Sequence, residues 1–174
     1  SGASIMKKIF LILFISSTLL NVSAFSREMN EKEMIIKLAE EGRLEELRQA
    51  LNENPSIIDE ADKNGLNAIH YAAAFGKTSC LVELITRGAN LEAQDKQGWT
   101  PLHMAIHEGQ EDSIGILLES GAKLSTRNTC CHETAFELGK SCPNQRRVKE
   151  IFSLYEAKKI KRRILRHLSE NNNG

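Results

Sequence analysis

The sequence repeats itself at a fixed period, and this constrains the fold more than any other feature. Residues 62–94, DKNGLNAIHYAAAFGKTSCLVELITRGANLEAQ, align without gaps with residues 95–127, DKQGWTPLHMAIHEGQEDSIGILLESGAKLSTR. Turn glycines, an apolar residue followed by histidine, and a later Gly-Ala pair recur at equivalent positions. A unit this short cannot bury its own hydrophobic face. A fixed period therefore predicts a stack of similar units that share one continuous core.

Within each unit, the residues predict a tight turn followed by two short helices. Gly65 and Gly98 each follow an aspartate by three positions, which suits a turn because glycine accepts positive φ without a Cβ clash. Pro101 suits the first turn of a helix, where its missing N–H has no intrahelical partner to lose. Apolar residues then recur at helical spacing and are predicted to be buried between units: Leu81, Leu84, Ile85, Ile114, Leu117 and Leu118.

The segment Thr100-Pro101-Leu102-His103 reads TPLH and, with the repeat period described above, resembles the ankyrin repeat family. The resemblance implies an all-α solenoid of about four helix-turn-helix repeats with hairpin-like loops. The first repeat lacks the TPLH turn, and the fourth has TAF, residues 134–136, in its place after one extra residue. Terminal repeats are expected to diverge because they cap the stack. The predicted repeats are residues 31–61, 62–94, 95–127 and 128–155, followed by a basic capping helix at 156–168 and a disordered tail at 169–174.

A separate segment precedes the repeats. Lys7 and Lys8 are followed by an apolar run at residues 9–20 and by small residues up to Ala24, the three-part order of a secretory signal peptide. A retained membrane anchor is the alternative, but such a run extends only ~18 Å as a helix, short of a bilayer core. We therefore expect cleavage after Ala24, a linker at residues 25–30, no stable membrane anchor, and a periplasmic or secreted location. Residues 1–5 are interpreted as a cloning remnant or an upstream misread.

Charge is balanced over the chain, with 23 basic and 23 acidic residues, but it is unevenly distributed. Residues 25–139 carry 20 acidic against 11 basic residues, whereas residues 140–174 carry 10 basic against 3 acidic. Ile160, Ile164 and Leu168 form an apolar stripe in the basic segment, which favours a helix that covers the last repeat. Nucleic-acid binding is not predicted, because no aromatic residues interleave for base stacking. Attraction to an anionic membrane or an acidic partner stays open.

Two histidines stand four residues apart in the third repeat, a spacing that places both imidazoles on one helix face. His103 recurs as His70 one period earlier, so it belongs to the repeated scaffold. The family resemblance implies that both bond to the backbone of a neighbouring turn. His107 has Ala74 as its counterpart and is predicted to lie on the surface. Nothing completes a metal site with this pair, so neither a metal nor a cofactor is predicted.

Four cysteines in an exported chain suggest disulfides, because such compartments are oxidising. Cys130 and Cys131 are predicted near a hairpin tip, and Cys142 beyond the far end of a helix, about 13 Å away. A disulfide needs Cα atoms within about 7 Å. Cys80 is predicted to be a small core residue. The thiols are therefore expected to be free, or Cys130 to pair with Cys131, and an enzyme or metal protein using residues 130–142 is the alternative.

The sequence lacks the combinations that enzymatic sites need, such as a nucleophile with a base and an oxyanion site, so no activity is predicted. The family resemblance implies protein binding instead, through the hairpin tips and the concave face of the first helices. Phe75 and Trp99 are the predicted hot spots, because aromatic residues often dominate interfaces, although either could fold onto the neighbouring repeat. The positions carried over are Glu40, Glu41, Lys63, Asn64, Leu66, Ala74, Phe75, Lys96, Gln97, Trp99, His107 and Glu108.

Together these features predict an exported protein-binding module, monomeric when free, that acts by stoichiometric protein–protein interaction. The favoured hypothesis is a periplasmic inhibitor or immunity protein that blocks a secreted enzyme such as a cell-wall hydrolase. A secreted effector that binds a host protein is the alternative within the same class.

Overall fold

The computed structural model describes the backbone of residues 31–171 and the side chains of residues 31–166. The described residues form α-helices and one 3₁₀-helix, and none of them belongs to a β-strand, so the all-α prediction is confirmed. The signal peptide and linker predicted for residues 1–30 lie outside this part of the chain. The helices are α1 (Glu31–Glu41), α2 (Leu44–Glu53), α3 (Ala68–Ala74), α4 (Thr78–Thr86), α5 (Pro101–His107), α6 (Glu111–Glu119), α7 (Ala135–Ser141) and α8 (Gln145–Asn171), and the 3₁₀-helix is Pro55–Asp59.

Consecutive helices pair into four helix-turn-helix units that stack in chain order. The start of α3 aligns with the start of α5 in the repeated sequence, and the start of α4 aligns with that of α6, so the sequence period is also the structural period. α7 starts one position later than this period predicts, which accommodates the extra residue of the fourth unit. The first helices of successive units lie side by side, and the second helices form an adjacent layer. None of the described helices combines the length and apolar character needed to cross a membrane.

The core runs through all four units, because each helix presents apolar residues at helical spacing. The predicted interior residues are buried except Ile85, which is partly buried at the edge of the core. Ala72, Ala73 and Ala105 are also fully buried. Their small side chains let neighbouring first helices pack closely, which accounts for alanine at these positions.

The turns that precede the first helices form a ladder of backbone hydrogen bonds between units. Lys96 N donates to Asn64 O at 2.9 Å, and Thr129 N donates to Gln97 O at 2.8 Å. Each turn is itself shaped by a side chain: Asp95 Oδ1, for example, accepts from Gln97 N at 2.9 Å. The ladder fixes the position of one turn relative to the next without any side chain at the tip.

Two glycines permit this close approach. Gly65 and Gly98 have φ of +86° and +78°, a region that other residues rarely adopt. A Cβ atom at Gly98 would lie 2.5 Å from Thr129 N, and one at Gly65 would lie 3.0 Å from Lys96 N. Glycine is therefore required at both positions for two reasons: the positive φ, and the lack of space for a Cβ atom beside the neighbouring turn.

His70 joins the second unit to the third. Its Nε2 lies 3.0 Å from Trp99 O, and since a carbonyl only accepts, Nε2 carries the hydrogen. Its Nδ1 is then free to accept from Asn67 N at 3.3 Å, which caps the start of α3. One imidazole thus satisfies a helix end and a backbone carbonyl of the next unit.

His103 occupies the equivalent place one unit later but does not make the same inter-unit bond. Its Nδ1 accepts from Thr100 N at 3.2 Å, while its buried Nε2 hydrogen-bonds to none of the described residues. The extra residue is the cause, because the fourth turn closes from Asn128 N to Glu133 O and is one residue wider than the third. His132 absorbs the insertion with φ of +57°.

The basic C-terminal segment is helical, but it does not cover the last repeat. α8 is continuous to Asn171, so no boundary exists at residue 155, and residues 169–171, predicted to be disordered, are helical. The first half of α8 packs on α7 through buried Val148 and Phe152. Residues 156–166 are exposed, including Ile160 and Ile164, while the Leu168 side chain lies outside the described part. The helix continues outward because no glycine or proline stops it before residue 174.

We expect Gly98→Ala to destabilise the fold more than Gly88→Ala. Gly88 has a similar φ of +88°, but a Cβ there would meet no atom within 4 Å. Its substitution should therefore cost only the ~1–2 kcal/mol of a non-glycine residue at positive φ. Gly98→Ala adds a clash with Thr129 N and should lose about 1 kcal/mol more. Urea unfolding followed by circular dichroism measures both, and equal losses would show that the ladder does not constrain the stack.

We also expect the free energy of unfolding to fall as pH is lowered from about 7 to 5. Burial lowers the pKa of His70, opposed by the Trp99 carbonyl and Asp95, and burial also lowers the pKa of His103. The unfolded histidines take up protons near pH 6.5 while the folded ones stay neutral, so acid favours unfolding.

The matched variants are His70→Ala and His107→Ala. The first should cost ~1–3 kcal/mol at pH 7, because it leaves the Trp99 carbonyl and the α3 cap unpaired. It should also flatten the pH dependence. The second removes an exposed side chain and should change stability by less than about 0.5 kcal/mol with an unchanged slope. An unchanged slope in His70→Ala, measured by urea titration at several pH values, would contradict this assignment.

Candidate functional site

The predicted binding residues fall into two rows, one on the turns and one at the ends of the first helices. The tip row lies on the turns and contains Lys63, Asn64, Lys96 and Gln97, all exposed. The helix-end row lies where the first helices end and contains Glu40, Glu41, Phe75, His107 and Glu108, of which all but Glu40 are exposed. The remaining predicted residues, Leu66, Ala74 and Trp99, are partly buried.

The tip row presents exposed side chains, of which Asn64 also donates to Asp62 Oδ2 at 3.5 Å. Its backbone is engaged in the ladder, so the tips are held in register while their side chains reach solvent. Lys63 and Lys96 form no ion pair with any residue that the structure describes. Two successive tips therefore present unpaired positive charge.

Phe75 is the most exposed predicted anchor in the helix-end row. Its ring is 49% exposed and stacks on Tyr71 with ring centroids 6.3 Å apart. Tyr71 is itself anchored, because its hydroxyl donates to Asp62 Oδ2 at 3.1 Å. Phe75 is thus held against the second repeat with about half of its surface facing solvent.

The other residues of the helix-end row are glutamates and one histidine. Glu41 lies 3.5 Å from Arg43 Nη1, which partly offsets its charge. His107 Nδ1 lies 3.0 Å from Glu108 Oε1, and both side chains are at least half exposed. The surface therefore places lysines on the tips and carboxylates at the helix ends, with Phe75 among the latter.

Trp99 folds towards the fourth repeat rather than standing free. Its ring meets the His107 ring edge-on, with centroids 5.2 Å apart. Its Nε1 donates to Cys130 Sγ at 3.2 Å. Of the two orientations that the sequence left open, the structure places the indole against the neighbouring repeat, partly buried.

Sequence reasoning missed two tip positions, Thr129 and Cys130. They stand one repeat period after Lys96 and Gln97, both are exposed, and both donate backbone N–H groups to Gln97 O. The repeat period alone could have identified these two positions. It was hard to follow there because the fourth turn contains the extra residue and lacks the Asp-Lys-x-Gly motif.

The four cysteines are free thiols in two environments. Cys80 is fully buried in the core as predicted, and buried Cys142 donates to Gly139 O at 3.5 Å. Cys130 and Cys131 are exposed, with their sulfur atoms 3.2 Å apart. The hydrogen bond from Trp99 lowers the pKa of Cys130, whereas the Cys130 thiol raises the pKa of Cys131. Across residues 31–166, no three His, Cys, Asp or Glu side chains are grouped to hold a metal ion.

Sequence comparison finds similar segments in much larger and in similarly small proteins. Protein phosphatase 1 regulatory subunit 12A of Mus musculus is 37% identical over 115 residues, which cover 64% of this chain and 11% of that protein. Protein phosphatase 1 regulatory subunit 27 of Mus musculus is 32% identical over 88 residues, covering 51% and 57% respectively. Calmodulin-binding transcription activator 6 of Arabidopsis thaliana is 36% identical over 93 residues, covering 53% and 11%. The match thus spans less than two thirds of each relative.

A family match covers most of the described stack. Residues 32–128 match the family described as "Ankyrin repeats (3 copies)", from α1 to the beginning of the fourth turn. The fourth helix pair, α7 and α8, follows this match and packs on the third. The matched part exceeds half of the 174 residues. The chain therefore belongs to the ankyrin repeat family, whose repeats form protein–protein interaction modules.

Proposed function

We propose that this chain regulates an enzyme by stoichiometric binding through the tip row and the helix-end row. The observation that carries the proposal is Phe75, a large apolar ring that is half exposed within the otherwise polar helix-end row. A rigidly held aromatic at such a position is a typical interface anchor. Two relatives are named as regulatory subunits of a protein phosphatase, which supports a role in controlling an enzyme.

The rigidity of the surface favours affinity. Association costs free energy when side chains and loops must be ordered, and the ladder has already ordered the tips. Phe75 stacks on Tyr71, so little of its own motion remains to be lost on binding. The lysines of the tip row would favour a partner with an acidic patch, while the Glu41 and Glu108 carboxylates would face basic or hydrogen-bond-donating groups.

The finer proposal is that the protein is an exported inhibitor or immunity protein. It rests on the order of charged, apolar and small residues in the first 24 positions, which is typical of a signal peptide. In a periplasmic or secreted location the target would be a secreted enzyme, such as a cell-wall hydrolase, whose cleft the concave face would cover.

An effector that binds a host protein is a second candidate. The relatives named above come from an animal and a plant, which would suit a target in a eukaryotic host. Capture from the producing cell's own periplasmic extract and from host extract distinguishes the two. A stoichiometric partner found only in the periplasmic extract would support the inhibitor, and one found only in the host extract would support the effector.

We expect Phe75→Ala to weaken binding of the captured partner about 30- to 1,000-fold, which corresponds to ~2–4 kcal/mol for a central aromatic anchor. The matched control is Val82→Ala, because Val82 is 47% exposed on the second-helix layer, away from both rows. The control should bind like the unchanged protein. Titration calorimetry gives both affinities, and thermal melts verify that each variant is folded.

The basic half of α8 supplies the contrasting test. Replacing both Arg162 and Arg163 with alanine should change mainly the association rate and its salt dependence. If this double variant loses the partner while Phe75→Ala retains it, the exposed basic helix is the binding site and the proposed surface is wrong.

We further expect the mature protein to begin at Phe25. N-terminal sequencing of protein recovered from the exported fraction tests this directly. The corresponding control is Ala24→Arg, because a large charged residue before the cleavage point should block processing. A membrane-bound chain that still carries Lys7 and Lys8 would contradict export as a cleaved protein.

A further inference from the structure

The tip of the fourth turn carries two adjacent exposed cysteines. Their sulfur atoms are 3.2 Å apart, whereas a disulfide bond measures about 2.05 Å. A displacement of roughly 1 Å would therefore bring them to bonding distance. The remaining cysteines, Cys80 and Cys142, are buried, so the exposed pair is the accessible dithiol of residues 31–166.

We propose that Cys130 and Cys131 form a redox-sensitive dithiol, which closes to a disulfide between the two adjacent residues and alters the tip row beside Gln97. The inference does not depend on a binding partner. It rests on the sulfur–sulfur distance, the exposure of both thiols and the position of Trp99.

The surroundings give the two thiols different roles. Trp99 Nε1 donates to Cys130 Sγ at 3.2 Å, and a donor to sulfur stabilises the thiolate, which is the nucleophile in exchange reactions. The pKa of Cys130 is accordingly lowered, while that of Cys131 is raised. Cys130 is therefore the attacking residue and Cys131 the resolving residue.

The oxidant is a low-molecular-weight disulfide such as oxidised glutathione. The Cys130 thiolate attacks one of its sulfur atoms, forming a mixed disulfide and releasing one thiolate. Cys131 loses its proton and attacks Cys130 Sγ, forming the Cys130–Cys131 bond and releasing the second thiolate. Two protein thiols are oxidised, one disulfide is reduced to two thiols, and the two protein protons pass to the released thiolates.

The closed form is expected to be easily reduced. Adjacent Cα atoms are about 3.8 Å apart across a trans peptide, closer than the ~4.4–6.8 Å usual for disulfides. Exposed disulfides under such constraint are the labile, regulatory ones rather than the structural ones. The pair therefore suits a reversible modification.

Closure would reach the tip row through two contacts. Cys130 N donates to Gln97 O at 3.3 Å, so a shift of Cys130 would move the turn of the third repeat. Forming the disulfide also changes the sulfur atom that accepts the hydrogen bond from Trp99 Nε1. Because Trp99 is the only tryptophan of the chain, its fluorescence reports on this step.

The test treats the purified full chain with mixtures of reduced and oxidised glutathione. We expect Trp99 fluorescence to change in parallel with a loss of two hydrogens, located by peptide mass spectrometry to residues 130 and 131, and to be restored by dithiothreitol. The Cys131→Ser variant should stop with glutathione attached to Cys130. The Cys130→Ser variant should react more slowly, because the Trp99 hydrogen bond that stabilises a thiolate is directed to position 130 and not to the remaining Cys131 thiol.

Trp99→Phe tests the positioning role of the indole. It retains an aromatic ring but has no N–H donor, so alkylation of Cys130 by iodoacetamide should slow severalfold and shift to higher pH. Cys142→Ser, which alters a buried thiol, is the control and should leave the closure unchanged. Retention of both alkylatable thiols in oxidised glutathione, glutathione on both cysteines of the unchanged chain, or only intermolecular dimers would each overturn the proposal.

Discussion

The hydrogen-bond ladder between successive turns sets the spacing of the second, third and fourth repeats. Because Lys96 N and Thr129 N each donate to the preceding turn, the turns must follow one another at a fixed separation, and the helices they carry follow with them. That separation explains the glycines at the turns, since any Cβ would strike the next unit, and the alanines in the first helices, since larger side chains would force the units apart. Leucine and isoleucine fill the remaining space in the second-helix layer.

Much of this could be predicted from the sequence, because each ladder turn requires a glycine and that glycine recurs at the repeat period. The period located the helices of the middle units, and helical spacing identified their buried residues. Three features could not be predicted. The Trp99 orientation depends on Cys130, a residue of the next unit. The unpaired His103 Nε2 results from one inserted residue in a different turn. The direction of α8 beyond residue 155 depends on whether the last repeat exposes an apolar surface for it to cover. An amphipathic stripe in the sequence does not determine this.

Residues that hold the repeats together differ from residues that are available for a partner. Backbone groups and buried side chains hold the units together, so the side chains at the tips and helix ends are not needed for folding and can vary with the partner. His70 and His107 illustrate the division, one bonded at both ring nitrogens within the stack and the other lying beside Glu108 at the surface. The same residue type therefore serves two purposes, and the repeat alignment distinguishes them.

The wider fourth turn makes the junctions between repeats unequal. The second and third repeats are joined by the ladder and by the buried His70 imidazole. The third and fourth are joined by the ladder, by the hydrogen bond from Trp99 to Cys130, and by ion pairs from α8 to α6, Arg147–Glu111 and Lys158–Glu119. Salt screens exposed ion pairs much more than it weakens a buried hydrogen bond. An increase in ionic strength would therefore act on the C-terminal junction more than on the junction that His70 spans.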